Sequence, residues 1–341
     1  MGRRPVSYGF NVPTFAGAPT AGAEPTHVNA PLYDDLDWTV TQRAIQAADA
    51  LGFDSIWAPD HLLLGVDRAE YEVWTLLSAI AALVDRPRLG TLVLCNDFRS
   101  PALLAKMAAT LDVIADGRLT LGIGAGWHQR EYDAYGYPFR DDFERLMRLD
   151  ESIRLIKELW TTSPGTGASF AGEHYRIDDA SCEPKPVQDP HPPILVGGAG
   201  EQVTLKLVAL HADMWNTTSF GGAIPTLEHK LGVLRKHCST VGRPFDEIEP
   251  TWETLVLCTR DAALLDEIER LVLPRPGPDG DRIETRRQLQ QYVPFGTPEE
   301  CTEAIERRID LGISTFQCWF LDYPSHRGME LFADEVIPAV Q

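Results

Sequence analysis

Positive charge is scarce in this sequence: 31 lysines and arginines stand against 50 aspartates and glutamates, a formal net charge of -19. That balance excludes nucleic-acid binding, which needs a basic face, and argues equally against an anionic membrane surface. It leaves open an anionic small ligand, because backbone N–H groups hold phosphate without net positive charge. The N-terminus, where Arg3 and Arg4 are followed by no long apolar run, fits neither a signal peptide nor a membrane span. None of the six cysteines forms a CxxC pair, which argues against a zinc ribbon or a thioredoxin-type site. Their scatter suits free thiols in a reducing compartment, so the expected location is cytoplasmic. HExxH motifs, His-plus-carboxylate clusters and GxSxG elbows are missing too, so neither a metal site nor a serine nucleophile is expected.

What the chain does have is a rhythm of short apolar runs, each followed by an amphipathic stretch. Strands are expected at 6–11, 55–58, 88–94, 119–123, 193–196, 213–216, 248–258 and 315–320. Helices are expected between them, for instance at 38–51, 101–114 and 298–311. Eight strand-helix units in 341 residues, 44% of them hydrophobic, favour a closed (β/α)8 TIM barrel. The chain therefore reads as one domain, 1–341. Two polar excursions break the rhythm. One precedes strand five (161–193, with a short hairpin around 174–177); the other follows strand seven (274–287). Together with the loop at 14–37 they are expected to line or cover the barrel mouth, where loop variation sets specificity.

Chemistry is expected at the strand ends. Strand four runs into Gly122, Gly124 and Gly126 and then Trp127; small residues there let a flat ligand lie against the backbone. Strand five meets Gly197, Gly198, Ala199 and Gly200, with a helix starting at Glu201. This is either a tight turn that needs glycine or an anion site at a helix N-terminus. Asp60 and His61 follow strand two, as a loop-ordering pair or as a proton relay with Asp60 orienting the imidazole or nearby backbone. Strand three ends in Asn96 and Asp97. The Asn96 amide suits a heteroaromatic edge, whereas Asp97 and Ser100 equally suit a helix cap. Trp215 and Trp319 are either core or ligand walls.

Three segments, ADALGFDSIWAPDH, LGTLVLCNDFRSPALLAKMAATLDVIADGRLTLGIGAGWHQREYDAYGYPF and PPILVGGAGEQVTLKLVALHADMWN, run in order over most of the chain. They resemble the bacterial luciferase-like flavin- and deazaflavin-dependent oxidoreductases. The resemblance implies a TIM barrel that binds reduced FMN or coenzyme F420 at its C-terminal mouth. It implies that Gly197, Gly198 and Gly200 hold the cofactor phosphate through backbone N–H groups, with Ala199 and Glu201 in the same turn. It places Asn96 and the backbone of Leu92 and Val93 against the ring, with a non-proline cis peptide at that strand end, and makes His61 an active-site histidine. Some sugar dehydrogenases of the family carry a glutamate just after the strand-four GxG. Here Trp127 stands in that place and walls the pocket, and the nearest carboxylate is Glu131.

The implied activity is hydride transfer between F420 and a small organic substrate, with His61 as proton donor or acceptor. The alternative is an FMNH2-dependent, oxygen-using monooxygenase in which His61 assists a peroxyflavin, with a separate flavin reductase as partner. A non-catalytic flavin-binding barrel is the third reading. A homodimer or homotetramer is the implied assembly.

Overall fold

The computed structural model describes residues 4–15, 33, 35–64, 69–218, 222–277 and 280–341. Eight parallel strands close on themselves: β1 (Ser7–Asn11), β2 (Ser55–Ala58), β3 (Arg88–Thr91), β4 (Leu119–Gly124), β5 (Ile194–Gly197), β6 (Met214–Thr218), β7 (Glu249–Cys258) and β8 (Thr315–Phe320). Closure is made twice over, by β7 pairing with β6 (Thr251 opposite Asn216) and by β8 pairing with β1 (Tyr8 opposite Phe316). Every residue of β4 and β8 is buried. Both faces of these strands are covered, which is why they read as apolar runs without alternation.

The helices pack outside this barrel: α1 (Trp38–Ala50), α2 (Val73–Ala81), α3 (Pro101–Ile114), α4 (Gln129–Tyr135), α5 (Asp142–Thr161), α6 (Thr204–His211), α7 (Ile224–Val241), α8 (Ala262–Val272), α9 (Arg286–Leu289) and α10 (Pro298–Leu311), before a C-terminal helical stretch that begins at Arg327. α1 buries Thr41, Ala44, Ile45 and Ala48, one stripe at helical spacing, and Asp37 caps its first turn. α10 starts on a Thr297/Glu300 capping box and stops at left-handed Gly312.

Most elements fall within a residue or two of expectation, and three larger departures fall at the mouth. Strand three does not run through residue 94. It stops at Thr91, turns through a cis peptide between Leu92 and Val93, and resumes as Leu94–Cys95 against β4. The helix after β5 starts at Thr204, beyond the glycine turn, not at Glu201. A short helix, α4, stands where only loop was expected. The first excursion does contain a hairpin, Ala168–Ala171 with Arg176–Ala180, and Glu151 of α5 anchors its turn by accepting from the N–H groups of Glu173, His174 and Tyr175. The second forms a two-stranded ribbon, Arg275–Pro276 with Arg282–Ile283, followed by α9.

Inside the barrel, Trp57, Leu92 and Leu195 form a compact apolar plug. Trp57 fits because its neighbours are glycine: a Cβ on Gly90 would come within 2.1 Å of its ring, and one on Gly9 within 2.5 Å. No helix among the described residues is long and apolar enough to cross a membrane.

Candidate active site

A cavity of about 600 Å³ opens at the C-terminal ends of the strands, within the size range of small-molecule and cofactor sites. Its walls bring together groups from distant parts of the sequence: His61 after β2, Leu92 and Val93 after β3, Gly124 to His128 after β4, Gly197, Gly198 and Gly200 after β5, Glu253 on β7 and Trp319 on β8.

His61 is held by Glu131, seventy residues away on α4. The Nδ1 atom lies 3.0 Å from one carboxylate oxygen and 3.2 Å from the other. The same carboxylate accepts from the backbone N–H of Leu62 (2.7 Å) and of Leu63 (3.1 Å). Glu131 is thus the hub of the β2 loop. Burial pulls the imidazole pKa down, but Glu131, with help from Glu70 and Asp60, more than reverses this, so the net shift is upward. Burial raises Glu131 in turn, and His61 and the two backbone donors overcome it, so its net shift is downward. The pair favours imidazolium and carboxylate. With Nδ1–H committed to Glu131, the proton that comes and goes is the one on Nε2.

Asp60 is tied elsewhere. Its carboxylate forms a bidentate pair with Arg99 (2.7 and 3.1 Å) and accepts from the Cys95 N–H at 2.9 Å. Arg99 also reaches Glu72, the N-cap of α2. Asp60 therefore joins the end of β2 to the resumed strand after β3 and orients backbone, not the imidazole.

The strand-four glycines have a different reason from the one expected. Gly122 faces the Thr91 carbonyl, 1.9 Å from where a Cβ would sit; Gly124 faces Val93 (3.0 Å); Gly126 faces the Tyr132 hydroxyl (2.0 Å) and Cys95 Sγ (2.7 Å). Protein groups lie where side chains on these residues would stand, while the backbone of Gly124 and Gly126 lines the cavity. Gly197 serves Val93 in the same way, at 2.9 Å. The glycines seat the displaced Leu92–Val93 segment, and this segment presents itself to the cavity. Trp127 stands at the rim, 51% exposed, with its ring 5.8 Å from the His61 ring.

The turn after β5 fits an anion. The N–H groups of Ala199, Gly200 and Glu201 donate to no acceptor among the described residues, and α6 begins directly behind them with Thr204 in the cavity wall. A Cβ on Gly200 would meet Thr204 Oγ1 at 2.8 Å, so glycine keeps that hydroxyl open. Free backbone donors, a hydroxyl and a helix start are the groups a phosphate needs, and of these Gly200 and Thr204 line the cavity. Gly198 corrects the expectation of a donor: its N–H is used by the Asn216 carbonyl at 3.2 Å, and its φ of +124° makes it the bend, not the ligand. The Glu201 side chain points to α7, pairing with Lys230 and His229.

Asn96 does not line the cavity. It is buried in the single turn after Cys95, and its amide donates to the Tyr175 hydroxyl of the excursion hairpin. Among the described residues neither polar excursion reaches the cavity wall, and of the loop at 14–37 Phe15 is there; most of that loop, 16–32, lies outside the described residues. Asp97 is not a helix cap but a partner of Arg148 on α5, at 3.0 Å.

Sequence reasoning missed three acids at or near this mouth. The role of Glu131 was hidden because its partner is non-local. Glu70 accepts from Thr14 Oγ1 at 2.6 Å, and burial raises its pKa to about 7. Glu253 has a signal that could have found it: it stands between Trp252 and the apolar run Leu255–Cys258, a charged residue within 250–258, a stretch otherwise buried.

A family model for luciferase-like monooxygenases matches residues 14–315. Among curated relatives, an F420-dependent glucose-6-phosphate dehydrogenase of Kineococcus radiotolerans is 31% identical over 87% of this chain and 91% of its own. An FMNH(2)-dependent dimethylsulfone monooxygenase of Pseudomonas putida is 24% identical over 99% and 96% of the two chains. In fold, the chain is similar to an F420-dependent secondary alcohol dehydrogenase at a TM-score of 0.79 and 20% identity, covering 99% of this chain and 100% of that one. The barrel, its mouth and the length of the match agree: the chain belongs to the luciferase-like monooxygenase family.

Proposed function

We propose that this protein is an oxidoreductase that holds coenzyme F420 in the barrel mouth and exchanges a hydride with a small organic substrate. The cofactor, when bound, supplies the hydride chemistry. The protein's own residues bind, orient and move a proton. Ala199, Gly200, Glu201 and Thr204 offer donors for a phosphate. Leu92 and Val93 form the platform, with Val93 seated over Gly122, Gly124 and Gly197 and Leu92 packed on Trp57 and Leu195. His61 exchanges a proton through Nε2 while Glu131 holds the ring by Nδ1. Asp60 and Arg99 fix the loop that carries His61.

The single observation that carries this reading is that one cavity is lined both by the glycine turn after β5 and by an imidazole with a carboxylate partner after β2. The test is spectroscopic titration of the purified protein with F420 and with FMN, each oxidised and reduced. Binding of F420 below the millimolar range is expected; if neither cofactor binds below it, the reading fails. His61→Ala should keep the cofactor and lose turnover; unchanged turnover would remove the imidazole from the reaction.

The P. putida monooxygenase, which aligns with 99% of this chain, favours a second reading. In it reduced FMN occupies the same mouth, a separate reductase delivers it, and oxygen is consumed. An oxygen electrode with FMNH2-loaded protein separates the two. All six cysteines are buried and free, which supports a reducing, cytoplasmic setting. The exposed Leu103, Val113 and Ile114 of α3 support a homodimer or homotetramer, testable by sedimentation.

A further inference from the structure

Glu253 has no role in the chemistry above, yet it is the one acid on a barrel strand that lines the cavity. It lies deep in the protein, and the surface it keeps accessible belongs to the cavity wall. Its Oε1 accepts from the Trp319 indole N–H at 2.8 Å, which fixes the carboxyl in one orientation. Two positions along the strand Leu255 stands opposite Trp319, and Phe15 packs on Trp319 with ring centroids 6.3 Å apart. On the Trp319 side this part of the wall is apolar, and beside the carboxyl stand the hydroxyl residues Thr218, opposite Glu253 on β6, and Thr254.

No cation among the described residues pairs with Glu253. The one arginine in the wall among the described residues, Arg145 on α5, donates to the Asp142 carboxylate and the Arg140 carbonyl, and its guanidinium stacks 4.3 Å over Phe139. His61, the titratable group that acts on Glu253 across the cavity, is itself committed to Glu131, with Glu70 and Asp60 nearby. Burial pushes the Glu253 carboxyl up to about 7, with Trp319 and His61 pulling the other way. At neutral pH the group is divided between a hydrogen-bond donor and a lone negative charge.

We propose that Glu253 is a specificity-determining residue: its carboxyl bonds a hydroxyl or carbonyl of a neutral, largely apolar substrate and turns anionic substrates away. The proposal rests on the reading that substrate and cofactor share this cavity. Protonated, the carboxyl donates to a carbonyl or hydroxyl oxygen. Ionised, it accepts from a hydroxyl and repels a phosphate or carboxylate. A wall of this kind suits an aliphatic or alicyclic alcohol or ketone and opposes a sugar phosphate.

The test uses two probes matched in shape, cyclohexanol and cyclohexanecarboxylate. Their binding to the F420-loaded protein is followed by tryptophan fluorescence at about pH 8, above the Glu253 midpoint. Cyclohexanol should bind tighter by about ten-fold or more, since like charges brought together in a site are strongly unfavourable. Glu253→Gln, which keeps the acceptor for Trp319 and removes the charge, should bring the two probes to similar affinity. In wild type the discrimination should shrink at about pH 6. Equal binding of both probes by wild type, failure of both to bind, or discrimination unchanged in Glu253→Gln would each overturn the proposal. The cofactor-free protein gives a second readout. A fluorescence change centred near pH 7 should be present in wild type and absent in Glu253→Gln, which separates it from the His61 titration beside Trp127; the same change in both proteins would also overturn the proposal. If neither cofactor binds but the probes are still discriminated in the free protein, the oxidoreductase reading falls and this one stands.

Discussion

Replacing Glu131 by glutamine isolates the charge of the His61 partner. The carboxylate has two oxygens with separate duties. Oε1 accepts from Leu62 and Leu63 N–H, and Oε2 lies closer to His61 Nδ1, at 3.0 Å. Glutamine keeps a carbonyl oxygen for the two backbone donors and puts an NH2 where Oε2 was. The Nδ1–H would then face a donor, so the imidazole must turn its lone pair to Nδ1 and carry its proton on Nε2. The substitution removes one charge-assisted hydrogen bond, worth about 1.5–3 kcal/mol, and leaves the backbone bonds in place. His61 and Glu131 are 16% and 2% exposed, so solvent screens this pair little.

The sign follows from the two shifts. The His61 pKa is raised, so its contribution is complete below the ordinary imidazole value of 6.5 and is lost as pH rises through the folded value. The Glu131 pKa is lowered, so its contribution is complete above the ordinary carboxylate value of 4.5 and is lost as pH falls through the folded value. The pair therefore stabilises most between 4.5 and 6.5. Urea unfolding of wild type and Glu131→Gln should differ by about 1.5–3 kcal/mol near pH 5.5 and by clearly less near pH 9. In parallel, 15N NMR of the histidine ring should show the proton moving from Nδ1 to Nε2 in the neutral form and the His61 titration shifting to lower pH. An unchanged titration, or a stability difference equal at the two pH values, would refute the assignment of Glu131 as the charged partner. In turnover the same loss predicts a drop of roughly ten- to a hundred-fold, with cofactor affinity preserved.

Arg99→Leu leaves the Asp60 carboxylate, 1% exposed, without its cation; a loss of about 3–5 kcal/mol in urea unfolding is expected, and a loss below about 1 kcal/mol would show that the pair does not hold the loop. Gly126→Ala places a Cβ 2.0 Å from the Tyr132 hydroxyl at a φ of +80°, so the melting temperature should fall by an amount equivalent to about 1–3 kcal/mol. Adding Tyr132→Phe should recover part of it, and no recovery would place the cost in the backbone alone. Gly198→Ala forces a side chain into the bend at φ +124°; cofactor affinity should weaken by about ten-fold or more, an equivalent of the 1–3 kcal/mol such a conformation costs, and undiminished affinity would remove the turn from the site.

The barrel was legible because its signals are local. A parallel strand covered on both faces shows as a short apolar run, and helix starts show as a capping residue or, at Pro101, a proline in the first turn. Strand 315–320 and helix 101–114 fall on their observed bounds for that reason. Features that depend on a distant partner were not legible. The break in strand three is made by the fit of Val93 against Gly124 and Gly197, which no local pattern records. The α4 helix carries seven residues of which only Glu131 and Tyr132 are buried, too few to produce a periodicity. Its existence is owed to Glu131 reaching the β2 loop and Tyr132 filling the space beside Gly126.

The same distinction governs the site. His61 was found because strand ends in a barrel point to the mouth, whereas the residue that sets its charge sits seventy positions on and is recognisable only by contact. Asn96 failed for the converse reason: its place in the sequence is right, but the turn that follows the displaced segment swings its amide to Tyr175. The glycines divide in the same way. Gly122, Gly124, Gly126 and Gly197 are small because protein fills their space, and Gly200 is small because Thr204 and its neighbouring N–H groups must stay open. Sequence shows both kinds as the letter G. The atoms that a Cβ would meet tell a glycine hemmed in by protein from a glycine beside an open hydroxyl, and by that criterion the turn we propose for the phosphate is 199–201 with Thr204, one step later in the chain than the Gly197–Gly198 pair suggests.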